Sequence, residues 1–241
     1  MQIIKTSKKP ILTILCLTHG DEVFGKEIFD YFTNNTTQYP GLQLILCNEE
    51  AYSHTKRFIE TDLNRSYPGN QKGSHEERLA YKITPLIAST PYMIDVHNTK
   101  TDMQMVPIIS TDNEDVRAII SFTKAKYIAL MPRKTQSAST IDMSLAGVGL
   151  EFNEKYAKTK AALNEVIKIV KGITQKKQNA DKLSRTIFEI AGTIPLDVKL
   201  PKDATNFHYY KEIPGYTFLV GDNSYKDHQG FYATKTKKIK L

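Results

Sequence analysis

The sequence predicts an α/β fold with a mostly parallel or mixed central sheet flanked by helices, followed by a small β-rich C-terminal domain. Three observations carry this. Short apolar runs alternate with amphipathic stretches through the first two thirds of the chain. Strand-favouring residues alternate with turn formers after about residue 183. The 241 residues, 40% hydrophobic and 24% charged, can bury a sizeable core, which excludes collagen-like, low-complexity and wholly disordered chains.

The apolar runs at residues 11–17, 42–47, 92–96, 103–109, 126–131 and 148–152 have the length of buried strands. Between and after them, residues 22–32, 74–88, 114–123 and 154–173 read as helices, the second opening on Ser74 and Glu77 in capping-box spacing. A polar stretch at 175–182 divides a domain of residues 1–178 from one of residues 183–241, where Pro195, Pro201, Pro214, Gly215, Gly221 and Gly230 punctuate short runs. No apolar run approaches the eighteen or so residues of a membrane span. Lysines before residues 11–17 mimic a signal peptide, but that run contains Thr13 and ends in Thr18-His-Gly-Asp-Glu22 rather than a small-residue cleavage site. Cys16 and Cys47 sit inside apolar runs, so no disulfide framework is expected and a cytoplasmic location fits.

The net charge of +7 comes from 33 basic and 26 acidic residues, and the basic ones are mostly lysines spread along the chain. A solvated surface explains them better than a nucleic-acid partner does, and the cluster at 235–240 reads as a charged edge strand. Arg57 and Arg65 stand apart, because two planar forks within nine residues can grip carboxylate oxygens in pairs.

Three segments carry candidate chemistry. His19 and Glu22 follow the first strand, where open α/β sheets place ligands. His97 ends another apolar strand, and Asp95, two residues earlier on the same side, is placed to hold the imidazole in its ligand tautomer. Two nitrogens and one carboxylate with a fourth position left open compose a catalytic zinc site. Between these segments lies Arg57-Phe-Ile-Glu-Thr-Asp62-Leu-Asn64-Arg65-Ser-Tyr-Pro-Gly69.

The motifs H-G-D-E, then D-L-N-R followed by Pro-Gly, then D-V-H-N-T resemble, in that order, the succinylglutamate desuccinylase/aspartoacylase family of zinc-dependent deacylases, relatives of zinc carboxypeptidases. Gly147-Val-Gly-Leu-Glu151 is similar to the family's glutamate segment, and the tail around Tyr225 and Lys226 to the close of its small β-rich domain. The resemblance implies a zinc carboxypeptidase-like fold and one Zn2+ per chain on His19, Glu22 and His97. It also implies hydrolysis of a small anionic N-acyl amino acid. In that scheme Glu151 takes a proton from water and passes it to the leaving amine, and Arg57 stabilises the oxyanion. Asn64 and Arg65 bind the α-carboxylate, while Tyr225 and Lys226 reach the distal end.

Two departures leave the acyl side open. The arginine and tyrosine that N-acetylaspartate-specific members carry before the glutamate are replaced by Gln136-Ser-Ala-Ser-Thr-Ile-Asp-Met143, with only Arg133 further back. Phe152-Asn153 stand where the family has a glycine. Competing readings are a zinc carboxypeptidase, which the C-terminal appendage would crowd, and a basic nucleic-acid-binding protein. His54, His75, His208 and His228 are not expected as ligands, and homo-oligomerisation is left open.

Overall fold

The structure is a computed structural model describing residues 1–132, 138–176, 182–222 and 225–241. The described residues form one eleven-stranded mixed sheet, in the order β1 (Gln2–Lys5), β3 (Leu42–Leu46), β2 (Leu12–Cys16), β4 (Tyr92–Thr99), β7 (Gly147–Asn153), β5 (Met105–Ile109), β6 (Tyr127–Leu130), β8 (Ser184–Pro195), β11 (His228–Lys240), β10 (Gly215–Phe218) and β9 (Tyr209–Tyr210). Strands β3, β2, β4 and β7 run parallel, so their carboxyl ends open on one edge of the molecule. Strand β5 then pairs antiparallel with β7, while β6 and β8 extend the sheet by parallel pairing.

Alternation along the strands divides the core. Leu12, Ile14 and Cys16 pack on one face with helices α1 (Phe24–Asn34), α4 (Glu114–Ser121) and α6 (Lys160–Thr174). Leu15, Ile45 and Met93 pack on the other with α3 (His75–Ala88) and with Phe188, Phe218 and Phe231 from the C-terminal strands. The seam between β6 and β8 is reinforced by the buried Arg185, which donates to Thr123 Oγ1 (3.1 Å) and to the carbonyls of Thr123 and Ala125 (2.9 and 2.5 Å). Both cysteines are buried free thiols, pushed upward in pKa chiefly by burial.

The expected strands and helices recur with adjusted ends. Strand β1 and the short helix α2 (Glu49–Ser53) were not foreseen, being brief and, in the case of β1, mostly exposed. The helix expected over 154–173 is two: α5 (Glu154–Ala157) and α6, because Thr159 breaks the run and caps α6 by accepting from the Ala162 amide. Helix α1 starts at Phe24 rather than at residue 22, since Glu22 lies in the preceding turn and Asn98 Oδ1 accepts from the Phe24 amide at 3.1 Å. The basic tail pairs with β8 from Lys235 to Lys240, with Lys237 3.1 Å from Asp112.

Two contacts fix the loop between α2 and α3. Glu76, fully buried in the first turn of α3, accepts from the amides of Ile59 (2.6 Å), Glu60 and Thr61 (both 3.0 Å) and from Asn48 Nδ2 (3.0 Å). These donors hold its pKa down against the upward push of burial. At the loop's far end Gly69 adopts φ +94°, and a Cβ there would lie 2.0 Å from the Tyr81 amide nitrogen, so the loop closes directly on the backbone of α3. Replacing Glu76 by Ala should leave three amides without their carboxylate acceptor and cost about 2–4 kcal/mol, since hydrogen bonds to a charged group contribute about 1.5–3 each and are not additive. Urea unfolding checks this, and a loss below about 1 kcal/mol would show that Glu76 does not anchor the loop.

Candidate active site

Strand β2 exits through Leu17 at φ +56°, a left-handed conformation unusual for leucine that turns the chain sharply into Thr18 and His19. Gly20 comes next, and its amide donates to the Arg57 carbonyl (3.0 Å). A Cβ at Gly20 would sit 2.4 Å from backbone atoms of Ala51 and Tyr52, so α2 packs on this turn with no room for a side chain.

The turn delivers Glu22 between two imidazoles. Its Oε1 lies 2.6 Å from His19 Nδ1 and its Oε2 2.9 Å from His97 Nδ1, and Oε2 also accepts from the Asn98 amide at 3.1 Å. All three side chains are buried, with one donor atom from each within 4.8 Å of the others. Burial opposes charge on each, but the neighbours outweigh it: Glu22 is held well below the usual carboxylate range by the two histidines. His97 is raised by Asp95 and Glu22, and His19 by Glu22 and Asp62.

The opposite ring nitrogens face carboxylates. His97 Nε2 is 2.9 Å from Asp95 Oδ2, and His19 Nε2 is 3.0 Å from Asp62 Oδ1. A carboxylate on Nε2 favours the tautomer that leaves the Nδ1 lone pair for a metal, so this donor set fits a zinc ion. Asp95 is itself held by Thr18 Oγ1 (2.7 Å) and Thr140 Oγ1 (2.5 Å). Thr140 also donates its amide to Asn64 Oδ1 (3.0 Å), with its Oγ1 3.2 Å from the same oxygen, so Thr140 links the hydrogen bonds of His97 and Asp95 to Asn64.

Around this centre lies a cleft enclosing about 640 Å³, including space open to solvent. Its polar walls hold Arg57, Asn64, Arg65, Glu151, Asp222 and Tyr225. Glu151 is paired across the ladder with His97, and burial, with Glu22 and Asp222 nearby, raises its carboxyl to about 7 against the lowering effect of His97. Arg57 Nη1 donates to Glu22 Oε1 (3.2 Å), and its Nη2 lies 3.0 Å from His19 Nε2 and 3.5 Å from Asp62 Oδ2. Arg65 hydrogen-bonds the Asn64 carbonyl (2.9 Å) and is otherwise exposed. Tyr225 is pushed up in pKa by burial and by Glu151, and its ring stacks on His228 at 4.3 Å.

The structure brings together every residue proposed from the sequence except Lys226. That side chain is exposed and outside the cleft lining, because the chain turns outward immediately after the inward-facing Tyr225. Arg133 lies outside the described residues. Sequence reasoning missed the functions of Thr18, Asp62, Asn98, Thr140 and Asp222. Thr18 adjoins the H-G-D-E motif, while Asp62 and Asn98 lie inside D-L-N-R and D-V-H-N-T, and that placement was the available signal. Thr140 sits in a bland Ser/Thr stretch, and Asp222 is distant in sequence from Thr99, whose Oγ1 donates to its Oδ2 at 2.8 Å. His54 and His208 are exposed, and His75 pairs with Glu50 away from the site.

The family model for the succinylglutamate desuccinylase/aspartoacylase catalytic domain matches residues 8–175. A probable aspartoacylase from Acaryochloris marina is 28% identical over 109 residues, 40% of this chain and 37% of that protein. Aspartoacylase from Danio rerio is 29% identical over 127 residues, 45% of this chain and 40% of that protein. The matched stretch thus spans about two fifths of those relatives. Murine aminoacylase 3 superimposes with a TM-score of 0.72 at 15% identity, covering 98% of this chain and 97% of that one. Succinylglutamate desuccinylase from Chromobacterium violaceum gives 0.73 at 13%, covering 98% and 86%. At such identities the structural likeness is one of fold. The family-model match runs through the turn, loop and strands that build this site, and the chain belongs to the succinylglutamate desuccinylase/aspartoacylase family.

Proposed function

We propose that this protein is a zinc-dependent amidohydrolase that removes the acyl group from a small N-acyl amino acid with a free α-carboxylate. The observation that carries the reading is the buried His19, Glu22 and His97 set facing a raised Glu151 and the Asn64–Arg65 pair across one cleft. His19 Nδ1, a Glu22 oxygen and His97 Nδ1 would hold the ion. When bound, zinc supplies Lewis acidity that polarises the scissile carbonyl and brings the pKa of a water to about 7.

The remaining steps fall to the chain's own groups. Glu151 has a proton affinity suited to neutral pH, so it can take a proton from the attacking water and return it to the leaving amine. Arg57, braced by Glu22 and Asp62, offers N–H donors to the oxyanion that develops on the carbonyl oxygen. Asn64 NH2 and the Arg65 guanidinium pair with the α-carboxylate and so fix the amide over the metal set. Tyr225 borders the acyl side. Two buried free thiols support a reducing, cytoplasmic setting.

Protein purified without added metal should carry, or take up on titration, one zinc per chain, and His19→Ala or His97→Ala should abolish this. Elemental analysis showing full zinc in both variants would remove these ligands from the scheme. Glu151→Gln should keep the zinc and lower kcat by roughly 10²–10⁴-fold. Near-normal turnover in that variant would exclude Glu151 as the base. Arg65→Ala should lower kcat/KM by the equivalent of about 2–5 kcal/mol on a substrate with a free α-carboxylate. Equal rates of the parent protein on α-carboxylate and α-amide forms of one substrate would overturn the assignment of Asn64 and Arg65.

A further inference from the structure

The cleft has two unlike ends. The donors and carboxylates described above crowd one of them, whereas the other is walled by Ile108 of β5, Met131 just after β6 and Ile141 of the 3-10 turn Thr140–Met143, all buried, with Gly149 of β7 between them. We propose that this end receives an aliphatic side chain of the amino-acid half of the substrate, and that Gly149 is kept small to admit it. The proposal rests on the deacylase reading and names the substrate class of that site.

Gly149 is the central observation. It stands opposite Ile108 on one neighbouring strand and Asp95 on the other, in the interior of the sheet. Glycine weakens a strand there, through both backbone entropy and the missing side-chain packing. The fold does not require it. A Cβ on Gly149 would lie 3.7 Å from Ile108 Cβ, 3.8 Å from the Ile108 carbonyl oxygen and 3.8 Å from Ile141 Cγ2, all ordinary contact distances. At Gly147, two residues earlier on the same face, a Cβ would be 2.4 Å from the Ile141 carbonyl oxygen, so that glycine is dictated by packing. The two glycines therefore differ in kind. At Gly149 a methyl group would fit in ordinary contact with Ile108 and Ile141, and the residue lines the cleft.

Its position decides which part of the substrate it meets. Gly149 precedes Glu151 by two residues, so it shares that face of β7 at about 6–7 Å along the strand. Glu151 serves the leaving nitrogen. Asn64, which binds the α-carboxylate, is hydrogen-bonded to Thr140, the immediate neighbour of Ile141. The amino acid's Cα is bonded to both the leaving nitrogen and the carboxylate carbon, so its side chain projects between these anchors, over Gly149, Ile108 and Ile141. Among the described lining residues the arginines are at the polar end, where Arg57 is engaged by Glu22 and Asp62. A second carboxylate directed at the apolar end would lose water there without gaining a cation among those residues.

The test uses the zinc-loaded full chain with N-acetylglycine, N-acetylleucine and N-acetylaspartate. The leucine substrate should exceed the aspartate one in kcat/KM by at least about 30-fold, and Gly149→Ala should lower the leucine-to-glycine ratio by about tenfold, a methyl's worth of room. An aspartate rate equal to or above the leucine rate, or a ratio unmoved by Gly149→Ala, would overturn the proposal. Calorimetric titration with free leucine and free aspartate reads the same preference without turnover. Leucine binding at least about tenfold tighter supports it, while equal affinities, the reverse order or no leucine binding overturns it. If no N-acetyl amino acid is hydrolysed but the leucine preference in binding persists, the deacylase reading fails and the side-chain pocket stands.

Discussion

The pairing of Glu22 with two imidazoles in a buried setting is the constraint around which this molecule is organised. A carboxylate removed from water must find compensating donors or cations, and Glu22 finds His19, His97 and the Asn98 amide within 3.1 Å. Meeting that demand fixes where β2 and β4 end relative to each other and where α1 can begin. The parallel run of β2, β4 and β7 supplies the geometry, since parallel neighbours bring the chain from separate sequence positions to one edge.

A second layer of carboxylates steadies the first. Asp95 and Asp62 hold the far nitrogens of the two rings, and threonines hold Asp95 in turn. Thr140 serves both Asp95 and Asn64, so the groups that would grip a metal and those that would grip a substrate carboxylate share a hydrogen-bonding partner. Glu76 performs an analogous task one level out, fixing the backbone just ahead of Asp62, Asn64 and Arg65.

Much of the fold was legible because buried strands and amphipathic helices leave periodic apolar signals, which the strands at 11–17 and 42–47 and the helix at 74–88 display. Helix α2 and strand β1 are too short to leave such a signal, and one capping threonine was enough to divide the helix expected over 154–173. At the site, His19, Glu22 and His97 could be proposed because each closes or follows an apolar run. Thr140 and Asp222 could not, because their places depend on tertiary contacts with Asn64, Asp95 and Thr99 that local pattern does not encode. Lys226 shows the converse: adjacency to an inward-facing tyrosine says nothing about direction where the chain is neither helix nor strand.

Gly20 has a consequence beyond its own turn. A side chain there would strike backbone about thirty residues later in the chain, and backbone cannot rotate out of the way as a side chain can. The turn bearing His19 and Glu22 is thereby geared to α2 and, through its amide, to the carbonyl of Arg57. The two segments shift together or not at all, so little ordering of this part of the cleft is left for an arriving ligand to impose, and the entropy of its assembly is spent during folding.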